Sequence, residues 1–188
     1  TLLTDAPNDA NTQDISSTII LNGGTLAAGT GTPAQNFNGG NPVGPWGNFY
    51  MAPGASIQAG NNATSAISAM LGLNGSGGYT PINVDGGSTL DISGNITGVG
   101  YLSYGGISKS GAGTLLLRGN NKGASQGMIL SAGTVEFSTN SLPTNVRAYG
   151  GPAGYSADIQ GNATLRWASG NTQDISFENG SAQIRIGD

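Results

Sequence analysis

Residues 113–120 read Gly-Thr-Leu-Leu-Leu-Arg-Gly-Asn, a short apolar run enclosed by residues that favour turns. The same arrangement recurs along the chain, for example at Ser88–Asn95 (STLDISGN) and at Gly133–Thr139 (GTVEFST). In a strand, side chains two residues apart point to the same face, so each run has an apolar face and a polar face. Glycine and asparagine supply the positive φ angles that tight corners require. The sequence therefore predicts an all-β chain built from many short strands.

The composition excludes several classes of chemistry. The 188 residues include 34 Gly, only 9% are charged, and neither Cys nor His occurs. Disulfides, thiol nucleophiles, imidazole metal sites and a Ser-His-Asp triad are therefore impossible within this chain. With six Lys+Arg and a net charge of −4, the chain has no basic field for a phosphate backbone, so we expect no nucleic-acid partner. We predict no cofactor and no metal.

Length and hydropathy bound the organisation of the chain. The apolar runs are too short to cross a bilayer, so we expect a chain that does not span a membrane. We predict one domain over residues 1–188, with an insertion loop at about residues 30–55, where Gly and Pro are dense. Because the first residue is Thr1 rather than Met, we expect a mature or trimmed segment of a longer repetitive protein.

Three all-β architectures remain open at this stage: a sandwich, a closed barrel and a solenoid. Asn-Gly and Asp-Gly turns by themselves would favour antiparallel hairpins. Strands of only a few residues bury little alone, however, and become stable when similar coils stack above and below them. A right-handed parallel β-helix with coils of about 20 residues therefore fits best. Only Ala63–Leu73 (ATSAISAMLGL) fits a helix, and it fits a strand equally well.

Internal repetition supports stacked coils. The hexapeptide Asn11–Ser16 (NTQDIS) recurs letter for letter at Asn171–Ser176. A shorter theme places Gly or Ala before Thr and an alternating apolar run, and its threonines are Thr25, Thr114, Thr134 and Thr164, with Thr89 as a close relative. Similar units at short intervals are typical of solenoids.

Residues 106–143 read GISKSGAGTLLLRGNNKGASQGMILSAGTVEFSTNSLP. This stretch resembles the autotransporter-associated β-strand repeat of bacterial autotransporter passenger regions. The matching positions are Gly106, Ile107, Lys109, Gly111, Gly113, Thr114, Leu115, Leu117, Ala132–Val135, Leu142 and Pro143. Residues 122–126 (KGASQ) depart from the pattern, because the family has an aromatic residue and paired threonines there. The resemblance implies a β-helix that is exported and displayed outside the cell, in an extracellular or bacterial outer-surface location. It implies no particular activity, because such repeats form the shaft beneath different heads.

Aromatic residues concentrate in Phe37–Met51 (FNGGNPVGPWGNFYM). They are Phe37, Trp46, Phe49 and Tyr50. Such residues can stack on sugar rings, contact another subunit, or fold back over a narrow core, and all three roles remain open. Two further pairs flanked by glycine, predicted to cover glycine backbone at corners, are Tyr101 with Tyr104 and Tyr149 with Tyr155.

Carboxylates are the remaining route to catalysis. The candidates by residue type are Asp85, Asp91, Asp158 and Asp174. Glycoside hydrolysis needs two carboxyl groups about 5 to 9.5 Å apart, whereas a lone Asp at a turn usually accepts hydrogen bonds from backbone N–H groups. Alternation with apolar neighbours predicts that Asp91 and Asp174 face outward. We interpret Asp85-Gly-Gly as a turn between strands rather than a calcium loop.

These observations lead to one functional prediction and two alternatives. Gln183–Asp188 is a strand pattern, and we expect the terminal coil to continue into another coil of the same chain or of a neighbour. We predict a non-catalytic segment of a secreted or surface-displayed β-helical stalk or fibre, with self-association through terminal coils or adjoining repeats. The alternatives are an adhesin that binds surface glycans through residues 37–51, and a polysaccharide-cleaving enzyme.

Overall fold

The computed structural model describes residues 2–4, 13–28, 48–74, 78–99, 105–121, 126–139, 141–142, 157–173 and 184–187. Within these ranges all regular secondary structure is β-strand, and no helix occurs. The predicted all-β class is therefore confirmed. The strands form three sheets, which we number in the order in which the chain first reaches them.

Sheet 1 contains β1 (Leu2–Thr4), β4 (Thr25–Ala28), β7 (Thr64–Ile67), β10 (Thr89–Ile92), β13 (Thr114–Leu117), β15 (Thr134–Phe137) and β17 (Thr164–Trp167), side by side in that order. Sheet 2 contains β2 (Gln13–Ile15), β5 (Asn48–Met51), β8 (Met70–Asn74) and β11 (Ile96–Val99). Sheet 3 contains β3 (Thr18–Leu21), β6 (Ser56–Ala59), β9 (Tyr79–Val84), β12 (Gly106–Ser110), β14 (Met128–Leu130), β16 (Ala157–Ile159) and β18 (Ile184–Ile186).

The chain visits the sheets in a fixed order. From β1 to β13 it passes from sheet 1 to sheet 2 to sheet 3 and back, and from β14 to β18 the described strands alternate between sheets 3 and 1. Every strand pairing in the described ranges is parallel. The glycine- and asparagine-rich turns therefore lead into the next sheet instead of closing hairpins.

A column of threonines fixes the register of sheet 1. Neighbouring strands place Thr64, Thr89, Thr114, Thr134 and Thr164 opposite one another. The repeated Gly/Ala-Thr theme thus marks one position on successive strands, as stacking of similar coils requires. Thr25 is the exception, because it lies opposite Ala66.

Inward-facing side chains form a continuous apolar core. In β13 and β15 the pattern alternates strictly, with Leu115, Leu117, Val135 and Phe137 fully buried and the residues between them half-exposed. The rest of the core comes from all three sheets and from the segments between strands, and is Leu21, Leu26, Phe49, Met51, Ala55, Ile57, Ala59, Ile67, Ala69, Leu71, Leu73, Ile82, Val84, Leu90, Ile92, Ile96, Ile107, Met128, Leu130, Leu142 and Ala157. Burying a large aliphatic side chain stabilises a fold by about 1.5 to 3 kcal/mol.

Close backbone approach at the corners explains two glycines. A Cβ at Gly94 would lie 1.8 Å from the carbonyl oxygen of Ala69, and one at Gly119 would lie 2.2 Å from that of Gly94. These atoms belong to the backbone and cannot rotate away. The corners that follow sheet 1 can therefore stack this tightly only with glycine at both positions.

Two details differ from the sequence predictions. Ala63–Leu73 covers β7 and most of β8, so the helix alternative is wrong; its alternating residues place Ser65 and Ile67 on the buried face of β7. The proposed insertion at about residues 30–55 extended too far, because β5 lies within it and pairs with β2 and β8. Residues 29–47 lie outside the described ranges.

Candidate functional site

The aromatic segment is only partly described. Phe37 and Trp46 lie outside the described residues. In β5, Phe49 is 2% exposed and belongs to the core, opposite Leu71 of the neighbouring strand. Tyr50, one position along the strand, is half-buried and lies opposite Gly72. Because adjacent strand residues point to opposite faces, Phe49 and Tyr50 do not form one surface. Contact of the whole segment with a ligand or subunit stays a prediction.

The ring of Tyr79 covers glycine backbone, a role that the sequence predicted for four other tyrosines. Tyr101, Tyr104, Tyr149 and Tyr155 lie outside the described residues. A Cβ at Gly106, opposite Tyr79 in sheet 3, would lie 2.5 Å from the Tyr79 ring, so the ring rests directly on this glycine. The Tyr79 hydroxyl lies 3.5 Å from the carbonyl oxygen of Gln126, to which it donates. Desolvation, followed by the nearby charge of Asp158, raises the pKa of Tyr79.

Two of the candidate carboxylates have structural roles, Asp85 in a corner and Asp91 on the surface of a sheet. Asp85 begins the turn between β9 and β10: its carbonyl oxygen accepts a hydrogen bond of 3.0 Å from Ser88 N, and its side chain accepts one of 2.6 Å from Asn83. The predicted Asp-Gly-Gly turn is therefore confirmed. Asp91 is half-exposed on β10, as its alternation predicted, and pairs at 3.0 Å with Arg118 just after the neighbouring strand.

Asp158 forms the most extensive of these pairs. Arg185 on the adjacent strand donates from Nε to Oδ1 at 2.8 Å and from Nη2 to Oδ2, and Gln160 adds a bond of 2.9 Å. The hydrogen bonds from Arg185 outweigh desolvation and lower the pKa of Asp158. A general acid in glycoside hydrolysis needs a raised pKa, so Asp158 has the opposite tuning. Asp174 lies outside the described residues.

The ion pairs share one direction along the sheets. In each, the carboxylate lies on the earlier strand and the arginine on or just after the next strand in the same sheet; the pairs are Asp91 with Arg118, Glu136 with Arg166, and Asp158 with Arg185. Such pairs between partly exposed side chains each contribute about 0 to 1 kcal/mol. Their common effect is to tie neighbouring strands together on the outside of the sheets.

The sequence singles out Lys109 only as a matching position of the repeat, and its structural role was not predicted. It occupies an inward column of sheet 3 that is otherwise apolar: Ile19, Ile57, Ile82, Lys109, Leu130, Ile159 and Ile186. Its side chain is fully buried. The ammonium donates to the carbonyl oxygens of Ser110 at 2.6 Å, Gly111 at 2.7 Å and Ala132 at 3.2 Å.

This cage of carbonyls explains how a charge is tolerated in the core. An ammonium has three N–H donors, and three acceptors satisfy them. Burial lowers the pKa of Lys109 to about 8. Ser110 is the last residue of β12, Gly111 begins the corner after it, and Ala132 lies in the corner after β14, so Lys109 links two successive corners. A fully buried amine cannot reach a ligand, so its role is positioning.

Asn121 makes a similar link at another corner. Its buried amide oxygen accepts from Ile96 N at 2.8 Å, and its Nδ2 donates to the carbonyl oxygen of Ser141 at 2.7 Å. One side chain thus joins the segments before and after its own in the stack. Asparagine suits this task because it carries both a donor and an acceptor.

Across the described ranges, no three Asp or Glu side chains converge as a metal site would require. The same ranges contain no helix that is long and apolar enough to cross a membrane. Comparisons with protein-family models, with curated proteins and with solved structures found no match. What the chain itself offers is a set of stacked columns whose polar groups bind one another across neighbouring strands.

Proposed function

We propose that this chain is a segment of a secreted or surface-displayed stalk or fibre, built as a right-handed parallel β-helix, with a mechanical rather than a catalytic role. The observation that carries the proposal is the unbroken register of its columns. One inward column of sheet 1 runs Leu26, Ile67, Ile92, Leu117, Phe137 and Trp167, one residue from each successive strand.

The order of the strands supports a helical path. Each return to a sheet adds a strand beside the previous one, so the chain advances by one strand spacing, about 4.8 Å, per circuit. Crossover connections between parallel strands are right-handed in about 98% of cases, which favours that hand. The seven strands of sheet 1 would then span about 29 Å along the axis.

The engagement of polar groups supports a passive role. Lys109 is bound to three carbonyl oxygens, Asp158 to Arg185 and Gln160, and Asn121 to two segments of backbone. The bonds from Lys109 to Ala132, from Arg185 to Asp158 and from Asn121 to both its partners connect neighbouring strands or corners along the stack, which is the direction in which a stalk is pulled. Groups committed in this way hold the coils together and are not presented to a substrate.

The resemblance to the autotransporter repeat supports export and display. Several of its positions have structural roles here. Lys109 binds the corners, and a Cβ added at Gly111 or at Gly113 would lie 2.3 Å from a backbone carbonyl oxygen, so both positions require glycine. The described part of residues 106–143 thus combines the repeat pattern with a role in stacking. Extracellular location, at the bacterial surface or in a fibre, follows from the resemblance as a proposal.

The proposal can be tested by shape and by ligand screening. Electron microscopy of the native material should show fibres or surface stalks, and glycan arrays of the 188-residue chain should show no specific ligand. A glycan signal that Trp46→Ala removes and the control Trp167→Ala retains would favour the adhesin. Release of reducing ends from a polysaccharide panel, abolished by Asp91→Asn, would favour the enzyme.

A further inference from the structure

Ser65 occupies a position that is apolar on each described strand after it in sheet 1. The strand pairings place it in an inward column whose other members are Leu90, Leu115, Val135 and Leu165. The Ser65 side chain is fully buried. Burying a hydroxyl is unfavourable unless it forms hydrogen bonds, so a serine in a leucine column indicates a specific bonding role.

The Ser65 hydroxyl binds the corner between β3 and β4, one circuit earlier in the stack. Its oxygen accepts a hydrogen bond of 3.0 Å from Gly23 N, and the hydroxyl donates one of 3.1 Å to the carbonyl oxygen of Leu21. Gly23 has a φ of 84°, the left-handed conformation that favours glycine. One buried side chain therefore fixes the backbone on both sides of Asn22.

Asn22 and Gly23 form a dipeptide that is prone to cyclisation. The backbone nitrogen of the glycine attacks the side-chain amide carbon of the asparagine, since glycine has no side chain to obstruct the approach. The new N–C bond closes a five-membered succinimide ring, and ammonia leaves. Water then opens the ring to aspartate or isoaspartate. The attacking nitrogen must lose its proton and must be free to turn toward the amide.

The hydrogen bond from Gly23 to Ser65 opposes both requirements. It stabilises the protonated form of the nitrogen that would attack. Together with the bond from Ser65 to Leu21, it also holds the peptide between Asn22 and Gly23 in one orientation. The corner is therefore a reactive sequence that a neighbouring strand keeps in an unreactive state.

Conversion of Asn22 would place a second carboxylate close to Asp85. The register of sheet 3 brings Asn22, Gly60 and Asp85 to equivalent positions in three successive corners. A Cβ at Gly60 would lie 3.4 Å from Oδ1 of Asn22 and 2.6 Å from Oδ2 of Asp85, so both side chains reach over this glycine. An amide now faces Asp85, whereas a carboxylate at position 22 would repel it.

From these observations we propose that Asn22 is a site of spontaneous modification, that Ser65 restrains the reaction by holding the Gly23 N–H, and that conversion to aspartate or isoaspartate weakens the stack of corners through repulsion by Asp85. Ser65 acts on Asn22 through the peptide of Gly23, so it is a positioning residue. The reaction uses the chain and water alone, and it is independent of the proposed stalk.

The rate of modification at Asn22 tests the restraint by Ser65. Folded wild type and Ser65→Ala are incubated at mildly alkaline pH, and peptide mapping by mass spectrometry measures aspartate and isoaspartate at position 22. Ser65→Ala should react about 2- to 10-fold faster, the factor that corresponds to one hydrogen bond. Ser88→Ala is the matched control, because in the described part of the chain the buried Ser88 hydroxyl has no partner. Equal rates in wild type and Ser65→Ala overturn the proposal.

Global destabilisation is a second route by which Ser65→Ala would speed the reaction, and two further variants separate the routes. Ser65→Thr keeps a hydroxyl at this position and should retain the slow rate of the wild type. Leu115→Ala lies in the same inward column and forms no bond to the corner, so it should leave the rate at Asn22 unchanged while the chain is folded. Equal acceleration by Leu115→Ala and Ser65→Ala would refute a specific role of Ser65.

The consequence of modification is tested by Asn22→Asp, which introduces the carboxylate directly. We expect its melting temperature at pH 7 to lie about 1 to 4 °C below that of the wild type. The loss should disappear in acid, where both carboxyl groups are neutral, and in an Asp85→Asn background at pH 7. A loss of the same size in the Asp85→Asn background would overturn repulsion by Asp85 as its cause.

Discussion

The three consecutive leucines of β13 allow a matched test of the inward and outward faces. Leu115 is fully buried in the column between Leu90 and Val135, whereas Leu116 is half-exposed and faces outward. The two residues have the same side chain and adjacent positions on one strand. We therefore compare Leu115→Ala with Leu116→Ala, which differ only in the face that loses the side chain.

The expected magnitude follows from burial and from how little the site can relax. Removing a buried leucine side chain costs about 3 to 5 kcal/mol when a cavity remains. The backbones on either side of Leu115 are held by parallel pairing with β10 and β15, so the neighbouring side chains cannot move in to fill the space. Leu116→Ala leaves no cavity and should cost less than about 1 kcal/mol.

Urea denaturation followed by circular dichroism measures both free energies of unfolding. In a chain of this length, each kcal/mol also shifts the melting temperature by about 2 to 4 °C. The two costs differ by at least about 2 kcal/mol, so we expect Leu115→Ala to melt at least about 4 °C below Leu116→Ala. Equal losses in the two variants, or a larger loss for Leu116→Ala, would refute the assigned faces of sheet 1.

Three further predictions concern buried charge, corner packing and the strongest ion pair. Burial lowers the pKa of Lys109 from 10.5 to about 8, so between these pH values the unfolded chain holds this proton more tightly than the folded chain does. The free energy of unfolding of the wild type should therefore rise with pH in this window, relative to that of Lys109→Met. Urea denaturation of both proteins at pH 7.5, 8.5 and 9.5 measures the trend. Gly94→Ala, whose Cβ would meet backbone, should lower the melting temperature far more than Gly78→Ala, whose Cβ would meet nothing within 4 Å; similar values for both would contradict the stacked corner. Arg185 lowers the pKa of Asp158, so the stability that Asp158 contributes is present above the ordinary pKa of Asp and is lost as pH falls through the lowered pKa of the folded state. The difference in free energy of unfolding between wild type and Asp158→Asn should therefore shrink in acid. A constant difference from pH 7 to pH 2 would contradict this.

Local pattern was sufficient to predict the strands and their faces. Alternation placed Leu115 and Val135 inside and Asp91 outside, and the structure agrees. The recurring threonines predicted that similar coils stack, and four of the five lie in one column, Thr25 being the exception. These features depend on neighbours within a few residues, which is the information that a short sequence window contains.

Pairing partners could not be predicted, because they depend on distant residues. The Asn-Gly and Asp-Gly corners are compatible with hairpins and with parallel stacking, and only the pairing of β9 with β12 and similar pairs decides between them. Asp158 and Arg185 illustrate the same limit, since nothing near either residue in sequence indicates the other. The inclusion of β5 in the predicted insertion arose because its aromatic residues follow a segment rich in Gly and Pro.

Lys109 shows a conflict between pattern and residue type. Alternation from Ile107 places Lys109 on the inward face, whereas its charge predicts an exposed position. The structure follows the alternation, because the glycine-rich corners bring three carbonyl oxygens within reach of the ammonium. A lysine that alternates with core residues and precedes a Gly-x-Gly corner is therefore a candidate for the same buried role.

Parallel, in-register stacking of successive strands is the central claim, and disulfide trapping between β10 and β13 tests it most directly. Adjacent parallel strands bring opposite residues within the range of a disulfide, about 4.4 to 6.8 Å between Cα atoms. We predict that Thr89→Cys with Thr114→Cys, and Asp91→Cys with Leu116→Cys, oxidise readily within one chain, whereas Thr89→Cys with Leu117→Cys does not. An antiparallel pair would reverse this result, and efficient trapping of Thr89→Cys with Leu117→Cys would contradict the account.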